Sequence, residues 1–193
     1  MENTVETARK ENPSDSRLLF TRWAMDIAED SKKRSTCLSR QVGAVIIKDK
    51  QIIATGYNGA PAGAIHCTDI GYCERKIRGI PSGQGLELCR AGHAEANAID
   101  QCARRGTSCL GSTLYVTTQP CVFCCIHIIQ SGIKRVIFKG DYPTGLGLEL
   151  LKESGVEYIR YEDALLMEEA EQRQKHEREL SRVKDFLSKR KCY

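Results

Sequence analysis

Residues Ser112 to Lys139 read STLYVTTQPCVFCCIHIIQSGIKRVIFK. The stretch opens on β-branched and aromatic residues, STLYVTT (Ser112–Thr118), which predict a strand. Pro120 then stands where a helix begins. Its missing N–H costs nothing in a first turn, and its fixed φ is already helical. Ser131-Gly132 stops that helix, and RVIFK (Arg135–Lys139) is a second β-rich run. Two strands joined by one helix run parallel, because the helix returns the chain to the edge it started from. Parallel strands are covered on both faces, so this unit predicts an α/β domain.

Working outward, the pattern continues on both sides. Upstream, a helix runs from His93 to Arg105, with Gly106 as its stop. QVGAVII (Gln41–Ile47) and QIIATGY (Gln51–Tyr57) flank Lys48-Asp49-Lys50 and predict a hairpin. A first helix is expected after Ser14 or Asp15, with Leu19, Trp23 and Ile27 on one face. Downstream, Gly147–Ser154 predicts a short helix and VEYIRY (Val156–Tyr161) a last strand. The order is α-β-β-α-β-α-β-α-β: an antiparallel opening hairpin, then parallel strands with helices between them. The expected fold is a three-layer α-β-α sandwich around a central five-stranded mixed sheet. Residues 1–13 are polar and read as a disordered N-terminal arm, residues 14–161 as the domain, and residues 162–193 as a charged C-terminal helix. That helix carries acids early and bases late, as the helix dipole favours, with apolar residues at its two ends. It reads as a solvated helix docked by those ends. The alternative, a subunit contact, stays open. Gly63 to Gly92 shows little periodicity, and a loop of that length inside a compact domain needs a reason to be ordered.

Composition narrows the classes. The chain has 193 residues, 41% hydrophobic and 28% charged, which suits one globular domain. A net charge of +4 and 6% aromatics do not announce a nucleic-acid surface or a base-stacking platform. The longest uncharged apolar run, Val42 to Ile47, is far short of the roughly 18 residues that a membrane span needs. The polar first residues are unlike a signal peptide, so a reducing, cytoplasmic setting is expected, without a membrane or nucleic-acid partner. Ten cysteines in such a setting point to metal rather than to cross-links.

The spacings support that. His93-Ala94-Glu95 opens one predicted helix, and Pro120-Cys121-Val122-Phe123-Cys124 opens the next. One imidazole and two thiolates are three ligands, which leaves tetrahedral zinc a fourth position for water, the catalytic arrangement. Helix N-termini favour thiolates, so Cys121 and Cys124 suit the role. Glu95, two residues from His93, need not ligate and can move protons beside the metal. The pattern H-x-E…P-C-x-x-C is the known signature of zinc-dependent nucleobase deaminases, and all five positions are present here.

GYNGAPAG (Gly56–Gly63), HAEANAI (His93–Ile99), TQPCVFC (Thr118–Cys124) and QSGIKRVIF (Gln130–Phe138) together resemble the deoxycytidylate (dCMP) deaminases. The resemblance covers residues 16–161 and implies the cytidine-deaminase-like fold. It also implies hydrolysis of dCMP to dUMP and ammonia for thymidylate supply, with Glu95 as the catalytic acid and base. It places Asn58 and Gly59 at the substrate, Asn58 on the sugar, and Tyr142 on the nucleotide. It implies a homo-oligomer, often a hexamer, and in some members control by dCTP and dTTP. A deaminase of another base, or a non-catalytic zinc-stabilised binding module, shares the zinc motif and remains an alternative.

Four more cysteines, Cys37, Cys67, Cys73 and Cys89, flank or lie within the long loop, separated by 29, 5 and 15 residues. A second, structural zinc would offset the entropy of ordering that loop. Some phage relatives carry one, and Cys37 and Cys67 match two of its ligands. Cys73 and Cys89 would complete the set, with His66 in reserve. Cys102, Cys109, Cys125 and Cys192 receive no role.

Overall fold

The computed structural model describes residues 18–142 and 145–190. The expected arm (1–13), the expected caps Ser14 and Asp15, and Cys192 lie outside the described residues.

The chain runs α1 (Phe20–Lys32), β1 (Gly43–Lys48), β2 (Gln51–Tyr57), α2 (Cys67–Ile70) and α3 (Glu74–Ile77). It continues through a 3₁₀ turn (Leu86–Leu88), α4 (Ala94–Arg105), β3 (Thr113–Thr118), α5 (Val122–Gln130) and β4 (Arg135–Gly140). It ends with α6 (Leu146–Glu153), β5 (Glu157–Arg160) and α7 (Tyr161–Arg190). The sheet order is β2-β1-β3-β4-β5. β1 pairs antiparallel with β2 and β3, whereas β3–β4 and β4–β5 are parallel. The five-stranded mixed sheet therefore has the expected order and directions. Asp49 and Lys50 turn the hairpin at φ 50° and 62°, the doubly left-handed two-residue turn whose twist matches its strands.

Strand alternation sorts the core into two layers. Ala44, Ile46, Leu114, Val116, Val136 and Phe138 face α4, α5 and α6, where Ala98, Cys102, Cys125, Ile128 and Leu151 meet them. Val45, Ile47, Tyr115 and Ile137 face the opposite way, against Ala24, Met25 and Ala28 of α1 and Ala164 of α7. This is the expected three-layer α-β-α sandwich.

Three local expectations are corrected. Helix α1 starts at Phe20, with Leu19 in the cap position and no side-chain cap of its own. The cap comes from far along the chain: Glu168 of α7 accepts both the Phe20 N–H (2.7 Å) and the Thr21 N–H (2.8 Å). The buried stripe of α1 is Thr21, Ala24, Met25 and Ala28, while Trp23 and Ile27 pack at its margin. The charged helix docks by its first turns only. Its far apolar residues Leu180, Val183, Phe186 and Leu187 are about half exposed, at 46%, 53%, 55% and 54%.

The long loop is structured by α2, α3 and the 3₁₀ turn. A two-way backbone bridge closes it, Gly59 N–H to Gly92 C=O (3.2 Å) and Gly92 N–H to Gly59 C=O (2.9 Å). That bridge ties the chain leaving β2 to the residue preceding His93.

Candidate active site

The site lies at the C-terminal ends of β2, β3 and β4, the end at which α/β sheets place ligands. His93 is the cap residue of α4, in extended conformation, and Cys121 is the cap residue of α5. Cys124 is in the first turn of α5. Gly56 of β2 permits this placement, because a Cβ there would meet the Ala94 carbonyl at 2.1 Å and the Ala98 nitrogen at 2.7 Å. Its missing side chain is what lets α4 approach β2.

His93 Nδ1 lies 3.3 Å from Cys121 Sγ and 3.3 Å from Cys124 Sγ. All three donor atoms fall within 4.8 Å of one another, the one such group among the described residues. Tetrahedral zinc, with bonds near 2.3 Å to sulfur and 2.0 Å to nitrogen, would set such donors roughly 3.5 Å apart, so the cluster fits the ion. Cys121 and Cys124 are each 2% exposed. A hydrogen bond from the Cys124 thiol, joined by one from His93, holds Cys121 as a thiolate with its pKa drawn down to about 4. The same Cys121–Cys124 bond, with burial, pushes the Cys124 thiol up, and the hydrogen bond to Cys121 raises His93. Such a cluster already holds a negative ligand and can exchange its remaining protons for a divalent cation.

Glu95, in the first turn of α4, is 4% exposed. Burial pushes its carboxyl up to about 7, against the opposing charge of His93. It lines the same cleft as His93 and Cys121.

Asn58 also lines this cleft, but most of its amide is committed. Its Oδ1 accepts from Ser35 Oγ (2.7 Å) and the Val42 N–H (2.8 Å), and its Nδ2 donates to the Arg40 carbonyl (2.7 Å). An amide has two N–H donors, so one remains. Gly59 does not line the cleft; both its backbone polar groups serve the bridge to Gly92. Tyr142 lines the cleft, with the Arg40 guanidinium 5.7 Å from its ring centroid and its carbonyl accepting from Gln119 Nε2 (3.3 Å). Arg40 and Arg75 line it as well, and the sequence reading singled out neither. No spacing rule marks an arginine that reaches a site from an irregular loop.

Cys37, Cys73 and Cys89 surround Cys67 closely enough that, with burial first, their charges push its thiol up. Their sulfurs nevertheless form no three-donor group within 4.8 Å among the described residues. His66 instead contacts Thr36 Oγ1 through Nδ1 at 3.1 Å. No helix among the described residues is long and apolar enough to cross a membrane.

Comparison with known proteins agrees with this geometry. Residues 20–139 match the family described as "Cytidine and deoxycytidylate deaminase zinc-binding region". The chain is 42% identical over 128 residues to the deoxycytidylate deaminase of Mycobacterium phage D29, covering 64% of this chain and 96% of that protein. It is 43% identical over 130 residues to ComE operon protein 2 of Bacillus subtilis, covering 64% of this chain and 61% of that protein. It spans under half, 46%, of the deoxycytidylate deaminase of Schizosaccharomyces pombe. The crystal structure of dCMP deaminase from cyanophage S-TIM5 in complex with dCMP and dUMP superposes with a TM-score of 0.63 at 30% identity, covering 75% of this chain and 98% of that one. With its fold, its His-Cys-Cys cluster and these matches in agreement, the chain belongs to the cytidine and deoxycytidylate deaminase zinc-binding family.

Proposed function

We propose that this chain hydrolyses dCMP to dUMP and ammonia. The observation that carries the reading is Glu95. Its carboxyl is buried, lines the cleft beside the three-donor metal cluster and enters none of the ion pairs among the described residues, a placement that suits proton transfer. Zinc held by His93, Cys121 and Cys124 would supply a Lewis acid that brings the pKa of water near 7. Glu95 would accept one proton from the attacking water and deliver it to the ring N3. It would then take the water's second proton from the oxygen now bonded to the ring carbon and supply it to the departing amine, so that both protons are accounted for. The free Asn58 N–H donates to a sugar hydroxyl, Tyr142 walls the nucleotide, and Gly59 sets the rim through its bridge to Gly92. The relatives named as deoxycytidylate deaminases support dCMP as the substrate.

The test is ammonia release from dCMP, deoxycytidine, cytosine and guanine by the zinc-loaded protein. We expect dCMP to be preferred. Glu95→Gln should keep its zinc and lose about 10²- to 10⁴-fold in turnover. Absence of dCMP turnover by the wild type, or near-normal turnover by the zinc-loaded variant, sinks the proposal.

We also propose a second, structural zinc on Cys37, Cys67, Cys73 and Cys89. The convergence of three thiols around Cys67 supports it. Assembly into a homo-oligomer, a hexamer as is common in the family, belongs to the same reading. The exposed Phe123 and Ile126 on α5, at 58% and 42%, support it. Responses to dCTP and dTTP are read by adding each nucleotide to the dCMP assay. Thiolate-held zinc suits the reducing cytoplasm.

A further inference from the structure

Helix α7 lies outside what the family shares. The family match ends at residue 139, and 64% of this chain already covers 96% of the phage D29 enzyme. α7 begins at Tyr161 and packs on α1, β4 and β5 through its first turns, where Ala164 is buried. Residues 171–189 are all exposed. A helix that leaves its domain loses the tertiary packing that supplies most helical stability. This one is not polar all round. Leu180, Val183 and Leu187 recur at spacings of three and four, on one face, and each is about half exposed.

The flanks of that stripe carry charge. Glu177 and Lys184 lie on the same flank, two turns apart, about 10 Å along the axis and too far to meet within one helix. Neither enters an ion pair among the described residues, whereas Glu179, on the other flank, lies 3.9 Å from Lys175.

We infer that the free end of α7 is a docking surface for the same segment of a second copy of this chain, the two helices running antiparallel. Leu180 then faces the partner's Val183, twice by symmetry, and Leu187 faces the partner's His176. Between those layers Glu177 stands beside the partner's Lys184, and Lys184 beside the partner's Glu177, so both unpaired charges are matched. Parallel pairing stacks Arg173 and His176 on their own copies, and it offers Lys184 only Glu179, which already pairs with Lys175. Opposed helix dipoles favour the antiparallel arrangement as well. The overlap over residues 176–187 spans about 18 Å, where an independent coiled coil needs roughly three or four heptads. The contact is therefore weak, with a dissociation constant on the order of 10 μM. It is separate from any contact through α5, and it stands whether or not the deaminase proposal does.

Sedimentation velocity of the full chain from about 1 to 300 μM reads the contact. At the upper end the wild type should have twice the mass of Leu180→Glu, and Val183→Glu should match Leu180→Glu. Lys184→Glu brings acids together on both sides of the pair and should weaken association by about 10-fold. Adding Glu177→Lys should restore it, because these two positions meet only between copies. Adding Glu179→Lys should not. Zinc content and Tm should match the wild type in every variant, which separates a lost contact from a lost fold. Equal masses for the wild type and Leu180→Glu at every concentration overturn the proposal. So does rescue by Glu179→Lys without rescue by Glu177→Lys, which means parallel helices. If Leu180→Glu leaves the mass unchanged and abolishes co-sedimentation with phosphatidylglycerol vesicles, the stripe is a membrane surface and the proposal falls.

Discussion

Replacing Gly56 by alanine tests how the fold places the metal site. The added Cβ would sit 2.1 Å from the Ala94 carbonyl oxygen and 2.7 Å from the Ala98 nitrogen. Both are backbone atoms, so no side-chain rotation relieves the contact. An ordinary carbon–oxygen contact is roughly 3.3 Å, so β2 and the first turn of α4 must separate by about 1 Å. Overpacking of this kind costs about 1–3 kcal/mol, and with two backbone neighbours the upper end applies. For a chain of this size, about 3 kcal/mol lowers Tm by about 6–12 °C. The same displacement moves His93 and Glu95, which begin α4, away from Cys121 and Cys124. His93 Nδ1 now stands 3.3 Å from each sulfur, so zinc affinity should fall by about 10- to 100-fold, as when a ligand's support is lost. Differential scanning fluorimetry gives the first number, and competition with a chromophoric chelator gives the second. Gly145→Ala is the control, since its nearest foreign atom lies 3.9 Å away. If Gly56→Ala matched the wild type in both Tm and zinc affinity, the close β2–α4 approach would not be what positions the site.

Two further outcomes are expected. Glu168→Gln removes the charge that caps α1 from α7 through two short bonds; capping and dipole effects together amount to about 1–2 kcal/mol, so Tm should drop by about 2–8 °C with no change in metal content. An unchanged Tm would mean that α7 does not fasten α1. Metal analysis of the purified protein should find close to two zinc ions per chain, falling to one in Cys67→Ser; one ion in the wild type removes the second site.

Local patterns already contained the sheet and the metal site. Alternation in QVGAVII, STLYVTT and RVIFK separates the two faces of the sheet, and single helices between strands leave only parallel pairing for β3, β4 and β5. The triad was legible because its ligands sit at helix starts, where Pro120 and the spacing of His93, Cys121 and Cys124 are themselves the geometric signal. The boundaries of α1 were not legible. Its cap, Glu168, lies 148 residues from Phe20 in the chain, and no local rule connects positions so far apart.

The division follows the range of the forces. Residue order alone established the α/β class, the strand directions, the donor triad and the carboxyl beside it, because each depends on spacings of a few residues. Folding decided what depends on contacts between distant segments. Gly56 yields to α4, Asn58 spends most of its amide on Ser35, Val42 and Arg40, and Arg75 arrives at the cleft with a buried, unmatched N–H. Burial and charge at a site are sums over everything the chain brings there, and that sum exists only once the chain has closed on itself.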